Sequence, residues 1–177
     1  MKLEPVIRMP TFWSSVLAST QVELGVHLWE GDLTVLEMNQ IQEIGDRWYA
    51  RYPGKSLALN IVYPGASLIP PPAELRDRFR RLLKHWESRH LAACTVMLAE
   101  GLLGAMHRSV LTGMLMIVPP PHPAKIFATV DDALPWLLGH ARGGALDPRE
   151  LRAAIDALRA EFSARTDRRS LQAAPSR

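Results

Sequence analysis

Three apolar runs of strand length, at residues 57–63 (LALNIVY), 91–98 (LAACTVML) and 125–128 (KIFA), each follow a stretch with helical spacing. That alternation restricts the chain more than any other feature. Strands alternating with helices argue for a mainly parallel sheet with helices packed on it, and the right-handed crossover rule narrows the topology further. Ahead of them, residues 12–17 and 22–29 read as a hairpin around Ser19-Thr20-Gln21. In its second strand Val22, Leu24, Val26 and Leu28 alternate with Glu23, Gly25, His27 and Trp29, a period of two that predicts one more buried face.

The helices announce themselves by caps and stripes. Thr34 and Glu37 have the capping-box spacing, followed by Leu36, Gln40, Ile44 and Trp48 at helical intervals and a stop at Pro53-Gly54. Leu75, Phe79, Leu82, Leu83 and Trp86 form the stripe of a second helix after Pro70-Pro71-Pro72. Residues 102–116 read as helix by their length and scarcity of β-branched side chains. Thr129 and Asp132 repeat the cap spacing, but Pro135 would then fall inside the helix, where its missing N–H loses a bond. The expectation is a later start near Asp131 or Asp132, or a kink. Asp147-Pro148-Arg149-Glu150 is a helix start with proline at the first position, and Leu151, Ile155, Leu158 and Phe162 make one narrow stripe behind it.

With 177 residues the chain suits one domain with an extension. The expected division is a loose arm over 1–10, an α/β domain over 11–141, a C-terminal helix over 146–164 and a disordered basic tail over 165–177. The one cysteine, Cys94, excludes an intramolecular disulfide and points to a reducing compartment. No apolar run approaches the roughly 20 residues of a membrane span, and MKLEPVIRMP lacks a signal-peptide pattern. A cytoplasmic location is the expectation.

"EGDLTVLEM" after one strand, "AEGLLGAMHRSVLTGM" after another and the closing "KIFATVDDALPWLL" resemble, over residues 22–138, the SpoIIAA-like branch of STAS domains (STAS/SEC14-type proteins). The resemblance implies an α/β fold with a mixed, mainly parallel sheet of four to five strands and helices mainly on one face, here with an extra C-terminal helix. It implies a bacterial regulatory module that binds protein partners, or small apolar or anionic ligands, rather than a catalyst. Anti-sigma-factor antagonists of this class carry an Asp-Ser pair at a helix entry, whose serine a kinase modifies. The matching stretch, "YPGASLIPPPAELRD", holds Ser67 but no such pair, and three prolines occupy the helix entry.

Other chemistries lose their footing in the sequence. A Walker A loop and a Rossmann glycine fingerprint are absent. Among the strand ends only Glu100 offers the carboxylate a phosphoacceptor site would need. The six histidines form no H-x-x-x-H pair, so neither a metal nor a cofactor is expected. Cys94, inside an apolar strand, reads as a core thiol. The best candidate site for a partner or ligand is the carboxyl end of the sheet: Glu100, His107, Arg108 and Ser109, with Ser67 nearby. His107 and Ser109 cannot pair as base and nucleophile, because two helical steps turn their side chains about 200° apart. Arg76, Arg78, Arg80, Arg81, Lys84 and Arg89 are mixed with Glu74, Asp77 and Glu87 and lack stacking aromatics, so a solvated face is expected rather than a nucleic-acid surface. The expected function is a non-catalytic protein-interaction or regulatory module. The alternative is a carrier or sensor of a small apolar or anionic ligand, with Met106, Met114 and Met116 lining its pocket. The stripe at Leu151, Ile155, Leu158 and Phe162 either docks on its own domain or pairs with a second copy in a homodimer.

Overall fold

The computed structural model describes residues 2–18, 23–31, 33–52, 54–64, 72–99, 101–117, 119–141 and 146–173. Six strands lie in one sheet in chain order: β1 (Glu4–Arg8), β2 (Phe12–Ala18), β3 (Glu23–Trp29), β4 (Ser56–Val62), β5 (His90–Met97) and β6 (Ala124–Phe127). The first two pairings are antiparallel and the other three parallel. This is the expected mixed, mainly parallel sheet with one more strand. The addition comes from residues expected to form a loose arm. Ile7 is buried, and the Arg8 guanidinium donates to the Ser14 carbonyl (2.7 Å) and to Ser15 Oγ (2.9 Å), holding β1 on β2. A five-residue strand with a register shift between Pro5 and Ile7 is too short and irregular to show a period of two.

Five helices follow: α1 (Val35–Arg51), α2 (Ala73–His85), α3 (Gly101–Ile117), α4 (Val130–Leu138) and α5 (Pro148–Ala173). Three successive parallel connections with right-handed crossovers bring α1, α2 and α3 to one face. The other face, with Leu24, Val26, Leu28, Leu57, Leu59 and Ile61, packs against α4 and α5. The resemblance implied helices mainly on one face; here three helices cover one face and two cover the other. β3 and β4 are buried on both sides at their starts, as inner strands of a parallel sheet are.

Local signals fix the helix starts. Thr34 Oγ1 accepts from the Glu37 N–H (3.2 Å), while Glu37 accepts from the Thr34 N–H (2.7 Å), the reciprocal capping box. The buried stripe of α1, however, is Met38 and Ile41 with Ile44 alongside; Leu36 is 67% exposed, because the helix turns its third-neighbour series to the sheet. In α4 the expected later start is overturned: Thr129 is the cap and accepts from the Asp132 N–H (3.1 Å). Pro135 sits inside the helix on its exposed side, where water can serve the carbonyl that loses its partner.

Asp147 caps α5 by accepting from the Arg149 N–H (2.8 Å). Leu151, Ile155, Leu158 and Phe162 are all buried in the core of their own chain. The homodimer stripe is therefore corrected: its apolar face is already covered in cis. The helix also runs beyond the expected end at 164, to Ala173, where a disordered tail was anticipated; residues 174–177 lie outside the described residues.

Candidate binding site

β3, β4 and β5 each open on a polar residue followed by leucine: Glu23-Leu24, Ser56-Leu57 and His90-Leu91. Parallel register sets Glu23, Ser56 and His90 side by side on the face of α1–α3. Ser56 Oγ lies 3.0 Å from His90 Nδ1, 3.4 Å from the Tyr49 hydroxyl and within donating distance (3.3 Å) of the Arg89 carbonyl. Trp48 donates to Glu23. The His122 ring, just ahead of β6, stands 5.3 Å from that of His90. Four residues along β3 from Glu23, His27 stacks on Phe12 at 5.9 Å. Neither of its ring nitrogens has a hydrogen-bond partner among the described residues, and Nδ1 is buried.

Desolvation governs the charges in this cluster. It lowers His27 to about 4, helped by nearby His90, and lowers His90 to about 4, helped by His122. Burial lowers His122 as well. Glu23 is raised by burial, against the opposing pull of the Trp48 N–H and Arg89. Tyr49 is raised by burial too. At neutral pH the three imidazoles are uncharged.

The Ser56–His90 contact has the look of a nucleophile and base, but its setting argues otherwise. Ser56 is 4% exposed, so a substrate cannot reach its oxygen, and an imidazole with a pKa of about 4 is a weak base. Cys94 is buried, and desolvation pushes its thiol up to about 12, away from thiolate chemistry. Among the described residues no three His, Cys, Asp or Glu side chains gather as a metal site.

Above this cluster the sheet is incompletely roofed. α2 packs on α1, and α3 packs on β5 and β6. On this face Asn60 and Val62 of β4 and Ala93 and Thr95 of β5 keep partial exposure, although both strands are central. The opposite side of β5, with Ala92, Cys94 and Val96, has 1% exposure or less. Apolar side chains of the roof are exposed as well: Phe79 and Leu83 on α2, and Leu102, Met106 and Met116 on α3.

Of the residues singled out in the sequence, Ser67 and Glu100 lie outside the described residues, and His107 is described only as a backbone position in α3. Arg108 turns back on its own helix start, donating to the Ala99 carbonyl (3.2 Å). Ser109 is exposed, and the Thr112 hydroxyl donates to the Arg108 carbonyl (2.7 Å). The sequence reading missed Glu23, His27, Tyr49, Ser56, His90 and His122. A signal did exist: Glu23 and His27, like Ser56 and Asn60, are four apart within apolar strands, which puts each pair on one face.

A solved structure is similar in fold: an uncharacterised protein of the DUF3478 family with a SpoIIAA-like fold from Shewanella loihica PV-4, at a TM-score of 0.52 and 16% identity, over 72% of this chain and 94% of that one. The fold is SpoIIAA-like. No protein-family model matches the sequence, and no curated protein does. The SpoIIAA-like fold accounts for the α/β architecture; at this identity it says nothing of what the chain binds. No helix among the described residues is long and apolar enough to cross a membrane.

Proposed function

We propose that the chain is a non-catalytic binding module that seats a small, largely apolar molecule on the half-open sheet face beneath α2 and α3. The carrying observation is partial exposure of Asn60, Val62, Ala93 and Thr95 in the middle of the sheet, under helices whose Phe79, Leu83, Leu102 and Met106 are themselves exposed. Exposed apolar surface of this kind, next to a few polar groups, is what ligand clefts offer. The inaccessible Ser56 and the buried, protonated Cys94 thiol favour binding over catalysis.

The test is a fluorescence titration of the purified chain with N-phenyl-1-naphthylamine, an uncharged apolar probe, together with native mass spectrometry of the fresh protein. Saturable binding, weakened by Ala93→Leu, is the expected result; no saturable binding overturns the reading.

A second reading is a cytoplasmic regulatory module that binds a protein partner. It rests on α3, whose outward Leu102, Met106 and Met116 are exposed and whose one charged side chain, Arg108, is bonded to Ala99. Arg108 and Ser109 would border that contact. Replacing Met116 by glutamate would abolish partner capture while leaving probe binding intact.

A further inference from the structure

On the face of α1–α3 the parallel strands carry three rows of side chains running across the sheet. The first is Glu23, Ser56 and His90. The second is Gly25, Ala58, Ala93 and Ala124, and the third is His27, Asn60, Thr95 and Ile126. Rows on one face stand two residues apart, about 6.6 Å along the strands, except on β5, where a register shift puts His90 three residues before Ala93; neighbouring strands are about 4.8 Å apart. The second row is thus a shallow channel crossing four strands on a floor of methyl groups and one glycine, flanked by the taller third row throughout and by the first row over β3 to β5.

The β3 end of this channel is filled by an imidazole. A Cβ on Gly25 would stand 2.8 Å from His27 Nε2, so the ring lies back over the glycine, and Phe12 stacked on the ring holds it there. At the β5–β6 end Ala93 and Ala124 are partly exposed, while Ala58, between them and Gly25, is buried, so the row opens to solvent at that end. His27 keeps some accessible surface within a dense protein shell, as a residue lining a narrow channel does. Its unpartnered nitrogens stand out, because buried polar groups in folded proteins are almost always hydrogen-bonded. The Thr95 hydroxyl has no hydrogen-bond partner among the described residues, while the Asn60 amide N–H donates to the Cys94 carbonyl (3.3 Å). No Asp, Glu, Lys or Arg stands in the second or third row, so nothing there would neutralise a charged ligand.

We infer that this channel holds the planar ring of an uncharged ligand whose hydrogen-bonding group meets His27. The inference rests on the ligand-binding reading above and sharpens it. A flat floor of alanines accepts a flat ring, and a neutral imidazole can donate to or accept from a hydroxyl, amide or ring nitrogen. A purely aliphatic occupant would leave His27 and Thr95 without partners.

A matched pair of probes separates the two claims. 2-Naphthol and naphthalene share one shape and differ by a hydroxyl that is uncharged at pH 7. The full chain is expected to bind 2-naphthol roughly three- to tenfold tighter than naphthalene, the range for one net hydrogen bond. His27→Phe is expected to abolish the preference, so that the two probes bind alike. Where that variant fails to fold, proton NMR of the wild-type chain decides: the His27 ring signals are expected to move with 2-naphthol and not with naphthalene. Equal binding of both probes, or unmoved His27 signals, overturns this inference and leaves an apolar carrier standing. Failure of both probes to bind overturns the inference and the ligand-binding reading together.

Discussion

The indole of Trp86 occupies the space that a side chain on Gly45 would take: a Cβ built there would overlap the ring. Trp86 follows α2 and Gly45 sits in α1, so this contact sets how closely the two helices approach. The indole cannot slide away freely, since its Nε1–H donates to Asp46 Oδ1 (2.8 Å), which also lies 2.8 Å from His85 Nε2. Two opposing effects bear on Gly45→Ala. Alanine favours the helix by about 1 kcal/mol, while forcing a group into a packed contact costs about 1–3 kcal/mol. With the ring pinned, overpacking wins. Gly45→Ala is expected to lower stability by about 1 kcal/mol in urea unfolding and to alter the tryptophan near-UV signal. A stabilised variant would mean that Trp86 packs elsewhere.

Acid is expected to weaken the fold through the buried histidines. His27 has a folded pKa of about 4 against an ordinary value of 6.5, so between those values the unfolded chain binds the extra proton. Stability is then fully present above pH 6.5 and falls as the pH drops toward 4. His90 is lowered to about 4 and adds in the same direction. Glu23 opposes, because its raised pKa lets the folded state keep a proton that the unfolded chain has lost. Going from pH 7 to pH 5, His27 alone contributes a loss of about 2 kcal/mol. Unfolding free energies at those two pH values in the wild type and in His27→Phe check this; the variant should show the shallower dependence. Equal dependence in both proteins would show that His27 is not held neutral.

The α/β order, the capping box at Thr34 and Glu37 and the cap at Asp147 were legible because each is written in residues close together in the chain. Strand β1 was not, because its five residues are held by Ile7 burial and by Arg8 bonds to the next strand. The site escaped for a related reason. Glu23, Ser56 and His90 are each one polar residue at the edge of an apolar run, and only the register of three parallel strands makes them neighbours. Thr129 capping ahead of Pro135 went against a local rule: proline inside a helix is tolerated where its side of the helix faces water.

The face of α5 decides between a chain that completes its own core and one that borrows a partner's. Phe162 is 1% exposed, edge-on to Trp13 at 5.2 Å and tilted on Tyr63 at 5.0 Å. Arg8 lies over the same Trp13 ring at 4.5 Å and Arg165 at 5.3 Å, so the aromatic group joins β1, β2 and α5. Truncating a buried phenylalanine to alanine costs about 3–5 kcal/mol through lost burial and the cavity left behind. Phe162→Ala is expected to lose that much, and the unfolding midpoints of wild type and variant should not depend on protein concentration. Were α5 instead the contact between two copies, stability would rise with concentration by mass action. A wild-type midpoint that climbs over a hundredfold range of concentration would therefore place Phe162 in a neighbour's core rather than its own.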